Sequence, residues 1–293
     1  MKDIKIALEW FLNPDHLPFI VGIQSGIYLQ NGFDVKLIVP HEHYDGFDAL
    51  EKGLIDLHVN EPIHLFEHYK EGIKSLGCYF ETRGGIMIKK SSVEKLYSNE
   101  KITITTPAAN NVTNKIGFEI LKRYAQKEGF RLDEENVEFI QTDFYHLKNL
   151  KSGKFDAAWL CFYNFEGIEA KEENFDNLFI DQFVSPYPHF SALEIITNEK
   201  ILNEKKENIE EFLTITKSII SDLPKDIERA KECYYGYSKE VKTDLMDKII
   251  EDTIMRFYFD FSANAQKWKE LYKLLEDFGF VKLTAEKYDK IWN

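Results

Sequence analysis

The sequence predicts an α/β protein of two lobes with mostly parallel sheets, joined by a hinge and followed by a helical C-terminal segment. Three observations carry that expectation. Short apolar runs alternate with amphipathic helical runs over residues 4–70, and the same alternation starts again over residues 102–180. Connections inside each series are only a few residues long, the pattern of a sheet covered by helices on both faces. Ser185-Pro-Tyr-Pro-His189 then interrupts the second series, and one more strand and a long helical stretch follow. A chain of 293 residues is too long for one minimal core and suits two medium lobes.

In order, residues 4–10 read as a strand and 16–30 as a helix ending at Gly32. Strand 35–39, helix 46–52, strand 54–59 and helix 61–70 complete the first series, and 84–89 reads as a crossing strand. The second series opens with strand 102–106. Its helix carries Val112, Ile116, Ile120 and Tyr124 at four-residue spacing and stops at Gly129. Strands 137–141, 157–162 and 178–180 follow, and 157–162 is apolar on both faces, as a central strand is. After residues 185–189 the chain is expected to return to the first lobe through strand 192–197. The lobes are therefore expected at 1–88 plus 190–293, and at 89–189. Two helical stripes close the chain: Ile209, Phe212, Leu213, Ile220 and Leu223, then Trp268, Leu271, Tyr272, Leu275 and Phe278 ending at Gly279. Both read as core.

Composition removes several classes of function. The net charge is -13, from 50 acidic against 37 basic residues, so the surface repels phosphate backbones and no nucleic-acid partner is expected. Cys78, Cys161 and Cys233 are odd in number and widely spaced, neither a disulfide framework nor a C-x-x-C pair. No apolar run approaches the ~20 residues of a membrane span. Met1-Lys2-Asp3-Ile4 enters a strand at once, with no leader pattern. A cytoplasmic protein and a mature domain lacking its leader both fit that opening.

Ligands of open α/β sheets sit beyond the carboxyl ends of strands, and pockets favour domain interfaces. Candidate residues therefore follow strands. After the first comes Glu9-Trp10-Phe-Leu-Asn13-Pro14-Asp15-His16, where Trp10 offers a stacking face and Asn13 and His16 polar contacts; a capped turn with a buried Trp explains the same residues. After the third comes Asn60-Glu61-Pro62-Ile63-His64, with Pro62 suited to a first helical turn and Asn60 beside the free N–H groups there. His64-Leu-Phe-Glu67-His68 matches H-x-x-E-H, whose histidines share a helix face, but no further acidic ligand is placed by pattern and no metal is assigned. His41, Glu42 and His43 read as a solvated loop. Residues 105–113 hold Thr and Asn without glycine, which supports a helix cap and not a phosphate loop. The most informative stretch is Phe162-Tyr163-Asn164-Phe165-Glu166-Gly167. Glu166 at a helix start is stabilised by the helix dipole, and that alone can explain it. A carboxylate flanked by Tyr163 and Phe165 also suits an aminopyrimidine, whose ring stacks while its amino edge donates to the carboxylate.

At these residues the chain resembles the family that groups bacterial ABC-importer binding proteins for thiamine-pyrimidine precursors, SsuA-like in fold, with fungal pyrimidine-precursor synthases. Three patches carry the resemblance: Leu8-Glu9-Trp10 through Asn13 and His16, Leu54-Ile-Asp56-Leu through His64, and Phe162-Tyr163-Asn164-Phe165-Glu166-Gly167. The resemblance implies a type II periplasmic-binding-protein fold. In the importer proteins the matching glutamate binds the aminopyrimidine. In the fungal synthases a lysine carries pyridoxal phosphate and a C-C-C-F-C stretch is present; Asn60 and Tyr187-Pro-His189-Phe-Ser191 stand at those places here. Without an amine there is no Schiff base, and without the thiols that metal or redox chemistry is lost.

The expectation is therefore a monomeric, extracytoplasmic substrate-binding protein that hands a small aromatic heterocycle to an ABC permease, with no cofactor, metal or catalytic residue assigned. Trp10, Tyr163 and Phe165 would stack on the ring, Glu166, Asn13, Asn60 and His64 would hold its polar edge, and Tyr187 and His189 would close the mouth or line the hinge. A cytoplasmic enzyme of pyrimidine-precursor synthesis on the same fold is the alternative. Thiamine, a flavin or an alkylsulfonate would also fit such a fold.

Overall fold

A computed structural model describes residues 1–40, 46–258, 264–281 and 283–292; His41, Glu42 and His43 lie outside the described residues. The chain forms two compact units, Met1–Glu81 with Ala192–Asn293, and Thr82–Ser191.

The first unit opens with β1 (Lys2–Ala7), a short 3-10 turn at Pro14–His16, α1 (Leu17–Gln24) and α2 (Ile27–Gln30). The single helix expected over 16–30 is thus broken. Gly26 takes a left-handed backbone (φ 75°) between the pieces, a conformation glycine adopts at no steric cost. Next come β2 (Phe33–Ile38), α3 (Gly46–Glu51), β3 (Leu57–Asn60), α4 (Pro62–Glu67) and β4 (Ile73–Glu81). The second unit contains β5 (Gly84–Lys89), α5 (Val93–Tyr97), β6 (Ile102–Thr106), α6 (Asn111–Glu128), β7 (Val137–Gln141), α7 (His146–Lys151), β8 (Ala157–Phe162), α8 (Ile168–Glu172) and β9 (Asn177–Ile180). The chain then re-enters the first unit through β10 (Ala192–Asn198) and ends in α9 (Glu199–Asp222), α10 (Ile227–Ser238), α11 (Asp244–Ile254), α12 (Lys269–Asp277) and α13 (Ala285–Trp292).

Each unit holds a five-stranded sheet, in the orders β2-β1-β3-β10-β4 and β7-β6-β8-β5-β9. Both are mixed but mostly parallel in strand direction, as expected, with one reversed strand in each. β2, β1 and β3 run parallel, while β10 is antiparallel to β3 and β4. β7, β6 and β8 run parallel, while β5 is antiparallel to β8 and β9. The unit boundary also differs from the expected one after residue 88. β5 pairs with β8 from Gly84 opposite Phe162 to Ile88 opposite Ala157, so that strand belongs to the second sheet.

The helices cover these sheets with the faces their sequences predict. In the first unit Phe212 of α9 meets Phe19, Tyr28 and Phe33, with ring centroids 6.4, 5.1 and 6.3 Å away. The Tyr28 hydroxyl sits 2.8 Å from Thr216 Oγ1, so its polar end is satisfied inside that core. In the second unit Met87, Leu147, Leu150, Ala158, Cys161, Ala170 and Phe179 pack together. All three cysteines are buried and free.

One buried charge ties the helical tail to the first sheet. Glu194 of β10 is 1% exposed and accepts bonds from Trp268 Nε1 at 2.6 Å and Ser75 Oγ at 2.5 Å. Burial pushes its carboxyl from the ordinary 4.5 up to about 7, with the two donors opposing. An acid whose folded pKa is raised contributes stability below its unfolded pKa and loses it as pH rises through the folded value. Between pH 5 and 8 this group is expected to cost the wild type about 3 kcal/mol of stability that Glu194→Gln retains. Urea denaturation of both proteins at the two pH values measures the difference; parallel pH profiles would contradict it.

Candidate functional site

In the first unit the candidate residues sit beyond the carboxyl ends of β1 and β3. Trp10 and Phe11 are half-exposed (49% and 51%) in the loop after β1, with ring centroids 6.2 Å apart. Asn13 is buried and serves the turn that follows. Its Oδ1 accepts from Asp15 N–H at 2.8 Å and its Nδ2 donates to Phe11 O at 3.2 Å. His16 is fully buried. Its Nδ1 accepts the Asn13 N–H at 3.3 Å and its Nε2 lies 3.0 Å from both oxygens of Glu9. Burial lowers the His16 pKa, but the Glu9 charge and hydrogen bond outweigh it and leave the pKa raised; the acceptor bond at Nδ1 belongs to the neutral ring. His16 was expected to touch a ligand. With both nitrogens engaged inside the unit it orients Glu9 instead, a carboxylate that sequence reasoning did not single out.

Asn60 is likewise held from within. Nδ2 donates to His58 Nε2 at 2.9 Å, Oδ1 accepts the Glu61 N–H at 2.8 Å, and His58 Nδ1 faces Ala7 O at 3.1 Å. The resemblance to the synthases asks whether this position suits pyridoxal phosphate. It does not: a neutral amide with both ends bonded has no nucleophilic nitrogen.

His64 on α4 is the open member of this group, with 43% of its side chain exposed. Its Nδ1 lies 3.2 Å from Glu67 Oε2 and its Nε2 3.7 Å from Glu61 Oε2. Burial works to lower its pKa, while Glu67, Glu61 and Glu9 raise it further than burial lowers it. Glu61 is pushed up to about 7 by burial, with Glu9 and Glu67 adding to the rise and His64 opposing it. His64, Glu67 and His68 each bring one possible ligand atom within 4.8 Å of the others.

In the second unit Asn110 caps α6. It accepts the Thr113 N–H at 2.9 Å while the Thr113 hydroxyl accepts the Asn110 N–H at 3.2 Å, the capping alternative foreseen for this stretch. β8 ends in a π-helical turn, Tyr163–Gly167, entered through Leu160 in a left-handed backbone (φ 63°). Asn164 is fully buried and accepts from the Thr82 hydroxyl at 2.8 Å. Glu166 is partly exposed, and its Oε2 accepts the Phe162 N–H at 2.7 Å, so it does cap its own turn. The Tyr163 ring carries the Arg83 guanidinium at 4.1 Å and meets Phe179 edge-on at 5.6 Å. It also packs on Gly167, where a Cβ would come within 2.5 Å of the ring. Phe165 stays partly exposed and makes no aromatic ring contact among the described residues.

Tyr187 is buried with its ring 5.9 Å from Phe190 and 5.7 Å from the Arg123 guanidinium, and its hydroxyl has no hydrogen-bond partner among the described residues. Burial pushes the His189 imidazole down to about 4, so it is neutral at physiological pH. Arg83, also missed from sequence, ion-pairs through Nε with the buried Asp181, which accepts the Phe183 N–H at 2.9 Å as well. Truncating one partner of a buried, bonded pair leaves the other uncompensated. Asp181→Ala is therefore expected to destabilise the protein by about 3 kcal/mol, and Asp181→Asn, which keeps an acceptor for the turn, by roughly half that. Equilibrium unfolding of both variants reads this directly, and equal losses would show that charge plays no part.

Two mixed α/β sheets with this strand order, each with candidate residues beyond its parallel strands, have the fold of periplasmic substrate-binding proteins. The superposition on the periplasmic aliphatic sulphonate binding protein SsuA from Escherichia coli has a TM-score of 0.71 and covers 100% of this chain and 98% of that one, at 11% identity. The chain belongs to the NMT1/THI5-like family, whose model matches residues 13–226. A Haemophilus influenzae protein named for thiamine biosynthesis is 24% identical over 96% of this chain and 88% of its own length. A formylaminopyrimidine-binding protein of Halalkalibacterium halodurans is 21% identical over 72% of this chain and 63% of its own length. No helix among the described residues is long and apolar enough to cross a membrane.

Proposed function

We propose that this protein is the substrate-binding component of an ABC importer, working outside the cytoplasm and taking an aminopyrimidine thiamine precursor as its ligand. The observation that carries this reading is Glu166, a partly exposed carboxylate held at the start of a turn beside the partly exposed Phe165. A carboxylate so fixed accepts N–H bonds from the amino group of the pyrimidine and, on a protonated ring, from the adjacent nitrogen, without first having to be ordered. The name of the Halalkalibacterium relative supports the ligand class.

The side chains divide the work differently from the expectation. Tyr163 is packed by Arg83, Gly167 and Phe179, so stacking falls to Phe165 and Trp10. Asn13 and Asn60 brace their loops, and His64 with Glu9 supplies the polar edge of the first unit.

A thermal-shift and calorimetric panel of formylaminopyrimidine, hydroxymethylpyrimidine, thiamine and an alkylsulfonate tests the proposal. An aminopyrimidine at 100 times its dissociation constant is expected to stabilise the protein by roughly 2.7 kcal/mol. Glu166→Ala is expected to weaken that binding about 10- to 100-fold, the worth of a charge-assisted bond pair. Unchanged affinity in the variant would sink the recognition scheme, and turnover of a supplied precursor would favour the synthetic enzyme instead.

A further inference from the structure

The H-x-x-E-H run at residues 64–68 enters the reading above only through His64. Positions i, i+3 and i+4 share a helix face, and on α4 this brings His64, Glu67 and, just past its end, His68 together. One possible ligand atom from each lies within 4.8 Å of the others. His64 Nδ1 and Glu67 Oε2 are 3.2 Å apart, close to the about 3.3 Å that separates two donors on a tetrahedral zinc ion. The His64 and His68 rings stack with centroids 5.9 Å apart, and Phe47 stacks on His68 at 5.9 Å, so the second imidazole is held by packing.

The charge around these donors is unbalanced. Among the described residues Glu9 ion-pairs only with His16, and Glu61 and Glu67 only with His64. Lys70, the nearest lysine along the chain, is taken by Asp48 and Glu51, each at 3.5 Å. Three carboxylates therefore gather around imidazoles with no lysine or arginine to neutralise them. That combination, two imidazoles and a carboxylate on one face inside an uncompensated acidic patch, calls for a divalent cation.

We propose that His64, Glu67 and His68 bind one zinc ion. His64 coordinates through Nδ1, and Glu61 faces the opposite nitrogen, Nε2, at 3.7 Å, where its charge favours the tautomer with the proton on Nε2 and the lone pair toward the metal. The three protein ligands leave a fourth position open to water or solute. Nitrogen and oxygen donors of this kind suit zinc and its first-row neighbours better than magnesium or calcium. The site shares His64 with the proposed heterocycle site but does not depend on that reading.

The test is calorimetric titration of the full chain with zinc chloride after dialysis against chelator, with cobalt(II) absorption as a second readout. Wild type is expected to bind one equivalent, and cobalt to give the visible bands of a four-coordinate site. Glu67→Gln and His68→Ala are each expected to weaken zinc binding at least about ten-fold, and Glu61→Gln by less. Glu166→Ala should bind zinc like wild type, and His68→Ala should still bind the aminopyrimidine, so the two proposals fail separately. Less than one equivalent bound at about 100 μM zinc, or wild-type affinity in both Glu67→Gln and His68→Ala, would overturn the assignment.

Discussion

The pairing of β4 with β10 is the constraint on which the rest of the molecule depends. Ala192 lies opposite Glu81 at the end of that ladder, and one residue further on the Thr82 N–H donates to Ser191 O at 2.9 Å. The two passages of the chain between units are therefore neighbours, bonded on either side of the boundary. Each sheet then has the same plan: four strands run one way and one, β10 in the first sheet and β5 in the second, runs against them. A helical crossover always returns the chain to the same edge direction, so only a strand that has come from the other unit can run the opposite way. The mixed sheets follow from the crossings.

That relation explains what was legible in the sequence. Strands 137–141 and 157–162 and the helix ending at Gly129 could be read to the residue because a few local side chains define each. Local pattern holds no information on strand direction, so mostly parallel sheets could be expected from the sequence, but not that β10 and β5 run against their neighbours. β4 was passed over because Ser75, Gly77 and Cys78 dilute its apolar run; its burial depends on β10, far along the chain. The lobe boundary moved for the same reason, since β5 reveals its sheet only through β8 and β9.

The site was legible to the same extent. Trp10, Glu166 and His64 were picked because a rule about strand ends points to them. What each does was hidden wherever the partner is remote or the chain folds back. His16 reads as a free polar side chain until Glu9, seven residues earlier, closes on its Nε2. Tyr163 reads as a stacking platform until Arg83 settles on its ring, drawn there by an aspartate 98 residues further along the chain. A bond of that separation leaves no trace in local composition.

The two units also differ in how they settle charge. In the second, Arg83 and Asp181 neutralise one another and the aromatic rings around the guanidinium share its field. In the first, Glu9, Glu61 and Glu67 ion-pair only with histidines among the described residues. Carboxylates held together without a cation repel one another, and the strain is relieved by a proton, a metal ion or a ligand that donates N–H bonds. A sulfonate would add a negative charge to this surface, whereas an aminopyrimidine or a divalent cation removes the repulsion. The first unit is thus biased by its own electrostatics toward ligands with positive or N–H-rich edges, a bias that the shared fold alone does not set.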